Sequence, residues 1–164
     1  MKYLKLFETL MSDETGNGYK SINLIKIDSR AKTVNLIKVD NWSYEKIYEL
    51  IGHGCRFYEC PFIYPNEDTL YTDEEFLVKE FDLEIDDNGI YNPVDFGFVL
   101  KPFDKNTILF GNGLIIGTDN EVESTSVKSI LLDIRKDILF VDKSNGDTSV
   151  FAWNDTTNQY TKIR

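Results

Sequence analysis

Histidine and cysteine are scarce in this chain of 164 residues, which holds one histidine and two cysteines. The two cysteines, Cys55 and Cys60, are too few for a disulfide framework, so a reducing compartment fits best. A nucleophilic triad with an imidazole base would have to recruit His53, because the chain has no second histidine. The composition therefore excludes disulfide-rich secreted domains and leaves little material for catalysis.

Long apolar runs are also missing, and no stretch approaches the roughly 20 apolar residues that a membrane-spanning helix needs. The first residues, MKYLKLFETLM, include Lys2, Lys5 and Glu8 and lack the uncharged apolar core of a secretory signal. Hydrophobic residues nevertheless make up 41% of the chain, which is too many for a disordered acidic tail. We expect a soluble, cytoplasmic protein with a single sizeable core.

Basic residues are almost absent between Cys60 and Asp95, a stretch that we call the acidic segment. It holds eleven acids and one base, Lys79, and so accounts for the whole formal net charge of −10. A one-sided negative field repels nucleic acid and attracts basic surfaces. The segment therefore predicts a partner protein with a Lys/Arg-rich surface and argues against direct binding to nucleic acid. The lack of a long apolar run argues against a membrane.

Acidic and apolar residues alternate from Glu80 to Asp86, which predicts a strand with its carboxylates on one face. Neighbouring charges there would lie about 7 Å apart and repel by only about 0.6 kcal/mol in water, so an ordinary solvated face also fits. Tyrosine rings beside carboxylates suit a basic partner, and we expect four tyrosines near these acids to be exposed. The predicted partner-binding residues are Asp73, Glu74, Glu75, Glu80, Asp82, Glu84, Asp86, Asp87, Tyr58, Tyr64, Tyr71 and Tyr91.

Patterns along the chain predict an α+β fold, with residues 1–20 as an N-terminal segment and polar linker and residues 21–164 as a single domain with a mostly antiparallel sheet. NLIKID (23–28) and NLIKVD (35–40) predict a hairpin around Ser29–Lys32. Helices are expected at about 43–52, capped by Asn41 or Ser43, and at about 126–136, capped within 124–126. Further strands are expected at 55–64, 69–72, 80–86, 96–100, 107–117, 138–141, 149–153 and 160–163, with 96–100 returning antiparallel to the strand that ends at Asp86.

Two short stretches invite comparison with metal sites. His53, Cys55 and Cys60 are three zinc-type ligands within eight residues, but their spacing matches no standard zinc arrangement, so they are candidate ligands only. EIDDNGIYNPVD (84–95) is a degenerate calcium loop, and a tight turn at Asn88-Gly89 explains it equally well. We predict no cofactor.

Other classes of function remain as alternatives to an interaction protein. GNGLIIG (111–117) is one residue longer than a dinucleotide-binding loop and fits a bend within a strand better. None of the 28 acids has a lysine two residues later, so the acid-x-lysine core of many nucleases is absent. A small ligand- or metal-binding accessory domain is the first alternative, and a metal-dependent hydrolase is the second.

Taken in order, INLIKID, YEKIYELIG, TLYTDEE and GNGLIIGTD resemble stretches of small phage- and plasmid-borne proteins of unknown function. The resemblance covers roughly residues 21–119. It implies a mobile-element protein in the cytoplasm of a bacterial host, a setting in which compact acidic proteins include inhibitors of host defence such as anti-CRISPR proteins. The implied partner is a CRISPR effector or another nucleic-acid-binding protein, so we hypothesise a non-enzymatic inhibitor that binds a basic surface.

Overall fold

The computed structural model describes residues 20–75, 84–86, 89–119 and 123–164. Its strands are Ile22–Asp28 (β1), Thr33–Val39 (β2), Tyr58–Ile63 (β3), Thr69–Asp73 (β4), Glu84–Asp86 (β5), Gly89–Tyr91 (β6), Phe96–Leu100 (β7), Leu109–Phe110 (β8), Gly113–Thr118 (β9), Ser124–Thr125 (β10), Ile138–Asp142 (β11), Ser149–Asn154 (β12) and Gln159–Lys162 (β13). Within these ranges the α-helices are Glu45–Ile51 (α1) and Leu131–Asp137 (α2), and a 3₁₀ turn spans Pro93–Asp95.

The first large sheet has the strand order β2-β1-β9-β4-β3, with the short β10 also paired to β9, and all its pairings are antiparallel. The β1–β2 hairpin is confirmed, because Asp28 pairs with Thr33 across the four-residue turn 29–32. Strand β3 forms one edge of this sheet and carries a bulge between Glu59 and Phe62, which places Pro61 where a missing N–H is tolerated.

Strand β9 lies between β1 and β4, and its residues alternate between two buried faces. Leu114 and Ile116 pack in one apolar cluster with Ile47 and Ile51 of α1, while Ile115 packs in a second cluster on the opposite face. A sheet that is covered on both faces requires apolar residues at consecutive positions, and GLIIG supplies them.

The helix predicted at 43–52 is confirmed at Glu45–Ile51, where its buried residues are Ile47 and Ile51. Gly52 ends it with φ 74°, and the Gly52 N–H donates to the Tyr48 carbonyl. The predicted side-chain caps are wrong, because Tyr44 occupies the N-cap position and no side-chain cap hydrogen bond forms there. The Ser43 hydroxyl instead bonds the Glu45 carboxylate and lowers the pKa of Glu45.

The second large sheet, β13-β12-β11-β7-β8, is also antiparallel and packs against the first sheet. Phe98 of β7 and Phe140 of β11 are fully buried between the sheets with Ile25 and Ile27. Gly113 allows this close approach, because a Cβ there would lie 2.8 Å from Phe98 Cζ. The two sheets therefore share one apolar core.

The prediction that 96–100 returns to the strand ending at Asp86 is wrong. Strand β5 pairs with β6 in a separate two-stranded hairpin, and β7 pairs with β11 and β8. Every residue of β7 is buried, and its pairing with β11 brings Phe98 next to Phe140 in the core. Burial of these two rings outweighs the proximity in sequence that favoured a local hairpin.

The second helix begins at Leu131, several residues later than predicted, because the preceding N–H groups are bonded elsewhere. The fully buried Asp68 carboxylate accepts hydrogen bonds from the Lys128 and Ser129 backbone N–H groups and from the Ser129 hydroxyl, at 2.5 to 3.1 Å. Residues 124–125 form β10 rather than a cap, and the Ser126 hydroxyl accepts from the Asn23 N–H.

The α+β class with mostly antiparallel strands is confirmed, although the strands form two large sheets rather than one. In the part of the chain that the structure describes, no helix is long and apolar enough to cross a membrane. The connection between β11 and β12 contains Asn145-Gly146, with Gly146 at φ 82°. The assignment of residues 21–164 to one domain stays a prediction, and most of the predicted linker lies outside the described residues.

Candidate functional site

The acidic segment does not present all its acids to solvent. Asp68 is fully buried and bonded to the residues that precede α2, and Asp73 is 5% exposed, with its Oδ1 accepting from the Glu75 N–H. Glu67 is exposed and lies 3.4 Å from Lys128 Nζ. Three of the first acids in the segment therefore form contacts within the fold, so they cannot all belong to one free acidic face.

The next acids lie closer to solvent, immediately after β4. Glu74 is exposed, and its backbone N–H donates to the Phe57 carbonyl. Glu75 is half-buried, and its Oε2 lies 3.8 Å from Arg56 Nε. Of the predicted partner-binding acids near β4, Glu74 is thus exposed, while Asp73 is buried.

The middle of the acidic segment is described only in part. Glu80, Asp82 and Asp87 lie outside the described residues. Residues 84–86 form a strand, as predicted, and Glu84 pairs with Tyr91 while Asp86 pairs with Gly89. The side chains of Glu84 and Asp86 lie outside the described part.

The expectation of exposed tyrosines is wrong for Tyr58, which is only 8% exposed. Its ring lies 5.0 Å from the ring of Tyr48 and 5.5 Å from that of Tyr71, and burial raises the pKa values of Tyr58 and Tyr71. Tyr64 is half-buried and packs edge-on against Phe62, and burial raises its pKa too. Tyr58 and Tyr71 pack in the apolar cluster that contains the buried residues of α1, so these two rings belong to the core. The side chain of Tyr91 lies outside the described part.

The candidate zinc ligands lie on two different parts of the fold. His53 and Cys55 are in the connection between α1 and β3, and Cys60 is in β3. His53 follows Gly52 with φ 53°, and its Nε2 lies 3.4 Å from Asn112 Nδ2. Cys55 is half-buried, and Cys60 is exposed. The Cys60 thiol bonds to Tyr71, yet burial around the sulfur raises its pKa to about 11. Within the described ranges, no three His, Cys, Asp or Glu side chains are arranged to hold a metal ion.

The degenerate calcium loop at 84–95 folds as the β5–β6 hairpin followed by the 3₁₀ turn Pro93–Asp95. A strand therefore enters the turn, where an EF-hand would have a helix. The GNGLIIG stretch forms the bend after β8 and most of β9, with Gly111 at φ 76°. Asn112 in this bend is buried, accepts from the Ser29 N–H and donates to the Ile51 carbonyl, so it fixes the turn 29–32 to the end of α1.

A small acidic cavity, which sequence reasoning missed, lies where the two large sheets meet. One side is lined by β3, β4 and the residue after β4, through Glu59, Thr72, Asp73 and Glu74. The other side is lined by β8 and the residue before it, 108–110. Its volume is about 70 Å³. Glu59 lies one residue before the acidic segment, and the apolar wall comes from a distant part of the chain, so no local pattern reveals the cavity.

The cavity raises the pKa of Glu59. Burial is the largest cause, and repulsion by Glu74 and Asp73 adds to it, while the nearby Thr72 hydroxyl opposes it. Glu59 and Thr72 are cross-strand neighbours in the β3–β4 ladder, which is why the carboxylate and the hydroxyl face each other. Glu59 is nevertheless an exposed residue, so water still reaches part of its carboxylate.

Comparison of the chain with protein-family models, curated proteins and solved structures found no match. The site must therefore be interpreted from its own geometry and charge.

Proposed function

We propose that this chain is a non-enzymatic protein-interaction module whose acidic segment binds a Lys/Arg-rich surface of another protein. The observation that carries the proposal is the distribution of charge: residues 60–95 hold eleven acids and one base, and the rest of the chain holds equal numbers of each sign. Opposite charge on a partner would accelerate association and fix its orientation.

The position of the acidic segment in the fold supports this role. The segment runs from β3 and β4 of the first sheet to the start of β7 in the second sheet. Its hairpin β5–β6 pairs with neither large sheet within the described residues. This hairpin can therefore present acids to a partner while the two large sheets keep their strand pairing.

The burial of Asp68 and Asp73 narrows the proposed surface. Their carboxylates are committed to backbone and side-chain groups of this chain, so we place the docking acids at Glu74, Glu75 and the stretch 80–87. These acids are close to one another in the sequence. Acids that are contiguous in the chain can follow a basic groove in the way that successive phosphates do.

The most specific form of the proposal is a phage or mobile-element inhibitor of a host nucleic-acid-guided nuclease. The resemblance to small phage- and plasmid-borne proteins motivates it, and so does the negative charge, because such nucleases bind nucleic acid in positively charged channels. The inhibitor would occupy a channel of this kind in the host cytoplasm, with its carboxylates in place of phosphates.

The test compares two variants with the same change in net charge. The segment variant carries Glu80→Lys, Asp82→Lys, Glu84→Lys and Asp86→Lys. The control variant carries Glu49→Lys, Glu123→Lys, Asp133→Lys and Asp147→Lys, at four exposed acids outside the segment. Circular dichroism and urea unfolding establish that both variants are folded.

The readout is DNA cleavage by a panel of purified, guide-loaded nucleases at two salt concentrations. We expect the unmodified chain to inhibit a panel member and the segment variant to lose at least about tenfold in potency, equal to about 1.4 kcal/mol. The control variant should keep its potency, and added salt should weaken inhibition by the unmodified chain. Equal inhibition by a folded segment variant would exclude the segment as the docking surface, and no inhibition of any nuclease would exclude the specific form of the proposal.

A further inference from the structure

Asn145 and Gly146 lie in the connection between β11 and β12, and residues 143–148 of this connection are all exposed. The Asp142 carboxylate accepts hydrogen bonds from the backbone N–H and the hydroxyl of Ser144, so it holds the first part of the connection. A Cβ atom at Gly146 would meet nothing within 4 Å. The Asn-Gly pair therefore projects into solvent, beyond the part that the Asp142 carboxylate holds.

The groups that would react with each other in this pair are only weakly held. The Asn145 side chain has no hydrogen-bond partner among the described residues. The Gly146 N–H donates to the Lys143 carbonyl at 3.1 Å, but this bond belongs to one exposed turn, and such turns open at a small cost in free energy. Because glycine has no side chain, nothing beside its nitrogen hinders an approach to Asn145 Cγ.

The same two residues occur at Asn112-Gly113, where the fold holds them rigidly. Asn112 is buried, its Oδ1 accepts from the Ser29 N–H, and its Nδ2 donates to the Ile51 carbonyl. Gly113 is paired with β1 on one side and with β4 on the other. Bringing the Gly113 nitrogen onto Asn112 Cγ would break these contacts, so the fold protects this pair and leaves Asn145-Gly146 unprotected.

We propose that Asn145 is a site of spontaneous deamidation, a covalent modification in which water is the co-reactant. Hydroxide removes the proton from the Gly146 backbone nitrogen, and this nitrogen attacks Asn145 Cγ and closes a succinimide ring. The carboxamide nitrogen leaves as ammonia, with its missing proton supplied by water. Water then opens the ring at either carbonyl and gives aspartate or isoaspartate. In balance, the asparagine and one water become an acidic residue and one ammonia.

The fold can accept the product. Isoaspartate lengthens the main chain by one carbon atom, and the β11–β12 ladder closes at Asp142 and Ser149, so residues 143–148 absorb the change. Lengthening a loop costs little free energy. The new carboxylate changes the formal net charge from −10 to −11, so the modified protein stays folded and is more acidic.

The experiment incubates the full chain at pH 7 and pH 8, with and without urea, and takes samples over time. Anion exchange separates the more acidic forms, and peptide mapping by mass spectrometry identifies each modified asparagine. The mapping also separates the pairs at 17–18 and 88–89, whose asparagines lie outside the described residues. In the folded chain we expect Asn145 to react at least about tenfold faster than Asn112, because a buried strand opens less often than an exposed turn. In urea the two rates should become similar, and both should rise with pH.

One variant and one internal control connect the reaction to the Asn-Gly pair. Asn145→Gln keeps a side-chain amide but requires a larger ring, which closes far more slowly. The peptide that contains this position should therefore stay unmodified while the unmodified chain is converted, and the melting temperature should not change. Asn158, in the exposed connection between β12 and β13, is the control, because the Gln159 side chain hinders attack by its backbone nitrogen. Asn158 should react more slowly than Asn145 in the same sample.

The proposal is overturned if Asn145 in the folded chain reacts no faster than Asn112 or no faster than Asn158. A rate at Asn145 that does not rise between pH 7 and pH 8 would also reject the succinimide route, which begins with loss of a proton from the Gly146 nitrogen. The reaction needs no partner protein, so each of these outcomes leaves the proposed function as it stands.

Discussion

Lys32 and Asp142 join the two large sheets through a salt bridge in which Lys32 Nζ lies 2.8 Å from Asp142 Oδ2. Lys32 belongs to the turn between β1 and β2, and Asp142 is the last residue of β11. Both side chains are mostly buried, with 21% and 15% of their surface exposed, and Lys32 also lies over the rings of Phe96 and Phe151. Burial would raise the pKa of Asp142, but hydrogen bonds from Lys32 and Ser144 outweigh it and lower the pKa.

Lys32→Met should reduce the free energy of unfolding by about 1–3 kcal/mol, because it leaves a mostly buried carboxylate without its cation. Urea unfolding at neutral pH measures the change. Lys38→Met is the matched control, since Lys38 and Asp40 form a bridge whose side chains are about two-thirds exposed, and it should change stability by less than about 0.5 kcal/mol. Equal losses in the two variants would show that the Lys32 bridge adds nothing beyond a surface pair.

The same bridge predicts the direction of the pH dependence. Because the folded-state pKa of Asp142 lies below the unfolded value, the bridge contributes stability above that value and loses it as pH falls through the folded pKa. The loss should therefore occur below about pH 4. Unfolding curves of Lys32→Met and the unmodified chain should converge in this range, and a constant gap down to strongly acidic pH would contradict the assignment.

Asp68→Asn should destabilise the fold by about 2–4 kcal/mol, because the Asp68 carboxylate is fully buried and serves only hydrogen-bond donors. An amide would turn an NH₂ group toward the Lys128 or Ser129 N–H and leave donors unsatisfied. Urea unfolding measures the loss. Glu67→Gln provides the comparison, since Glu67 is exposed and its contact with Lys128 is long, and it should cost less than about 0.5 kcal/mol. A small effect of Asp68→Asn would mean that the N–H groups before α2 find other acceptors.

The Asp68 contact also explains why the start of α2 could not be predicted from its own sequence. The spacing of Val127, Ile130, Leu131 and Ile134 is helical, yet the N–H groups before Leu131 bond to a carboxylate about 60 positions earlier in the chain. Hairpin β1–β2 and the edge position of β3 were predictable, because turn residues and Pro61 act locally. The pairing of β7 with β11 could not be predicted in this way, because it depends on burying Phe98 beside Phe140.

The number of charges in the acidic segment can be read from the sequence, but the burial of each charged side chain cannot. The sequence shows that the acidic segment holds the whole net charge, but it does not show that Asp68 and Asp73 are buried and Glu74 is exposed. The cavity is the extreme case, because its carboxylates and its apolar wall meet only when β8 and β4 are brought together by the two sheets. Alternation within one strand cannot reveal a site whose parts belong to different sheets.

Cys60 should react slowly with iodoacetamide although the residue is exposed. With a pKa of about 11, only about one thiol in 1,000 is ionised at pH 8, compared with about one in four for an ordinary thiol. The Cys55→Ala variant isolates Cys60, and mass spectrometry follows its alkylation, which should be roughly 100-fold slower when folded than in urea. Folded and unfolded rates within about threefold of each other would show that the sulfur is not shielded.

Glu59→Gln should raise the melting temperature at neutral pH. Because the folded-state pKa of Glu59 is raised above its unfolded value, the native state holds a proton more readily, and stability falls as pH rises from about 4.5 through the folded pKa. At pH 7 the ionised Glu59 therefore opposes folding, with Glu74 and Asp73 close by, and glutamine removes that cost. The gain should shrink toward pH 4, where the carboxyl of the unmodified chain is protonated.

Thermal unfolding followed by circular dichroism at pH 4 and pH 7 measures the Glu59→Gln effect, and Asp142→Asn supplies a control of opposite sign, since the pKa of Asp142 is lowered by the fold. Asp142→Asn should lower the melting temperature at pH 7. A destabilised Glu59→Gln at pH 7 would show that the carboxylate is satisfied in the free protein.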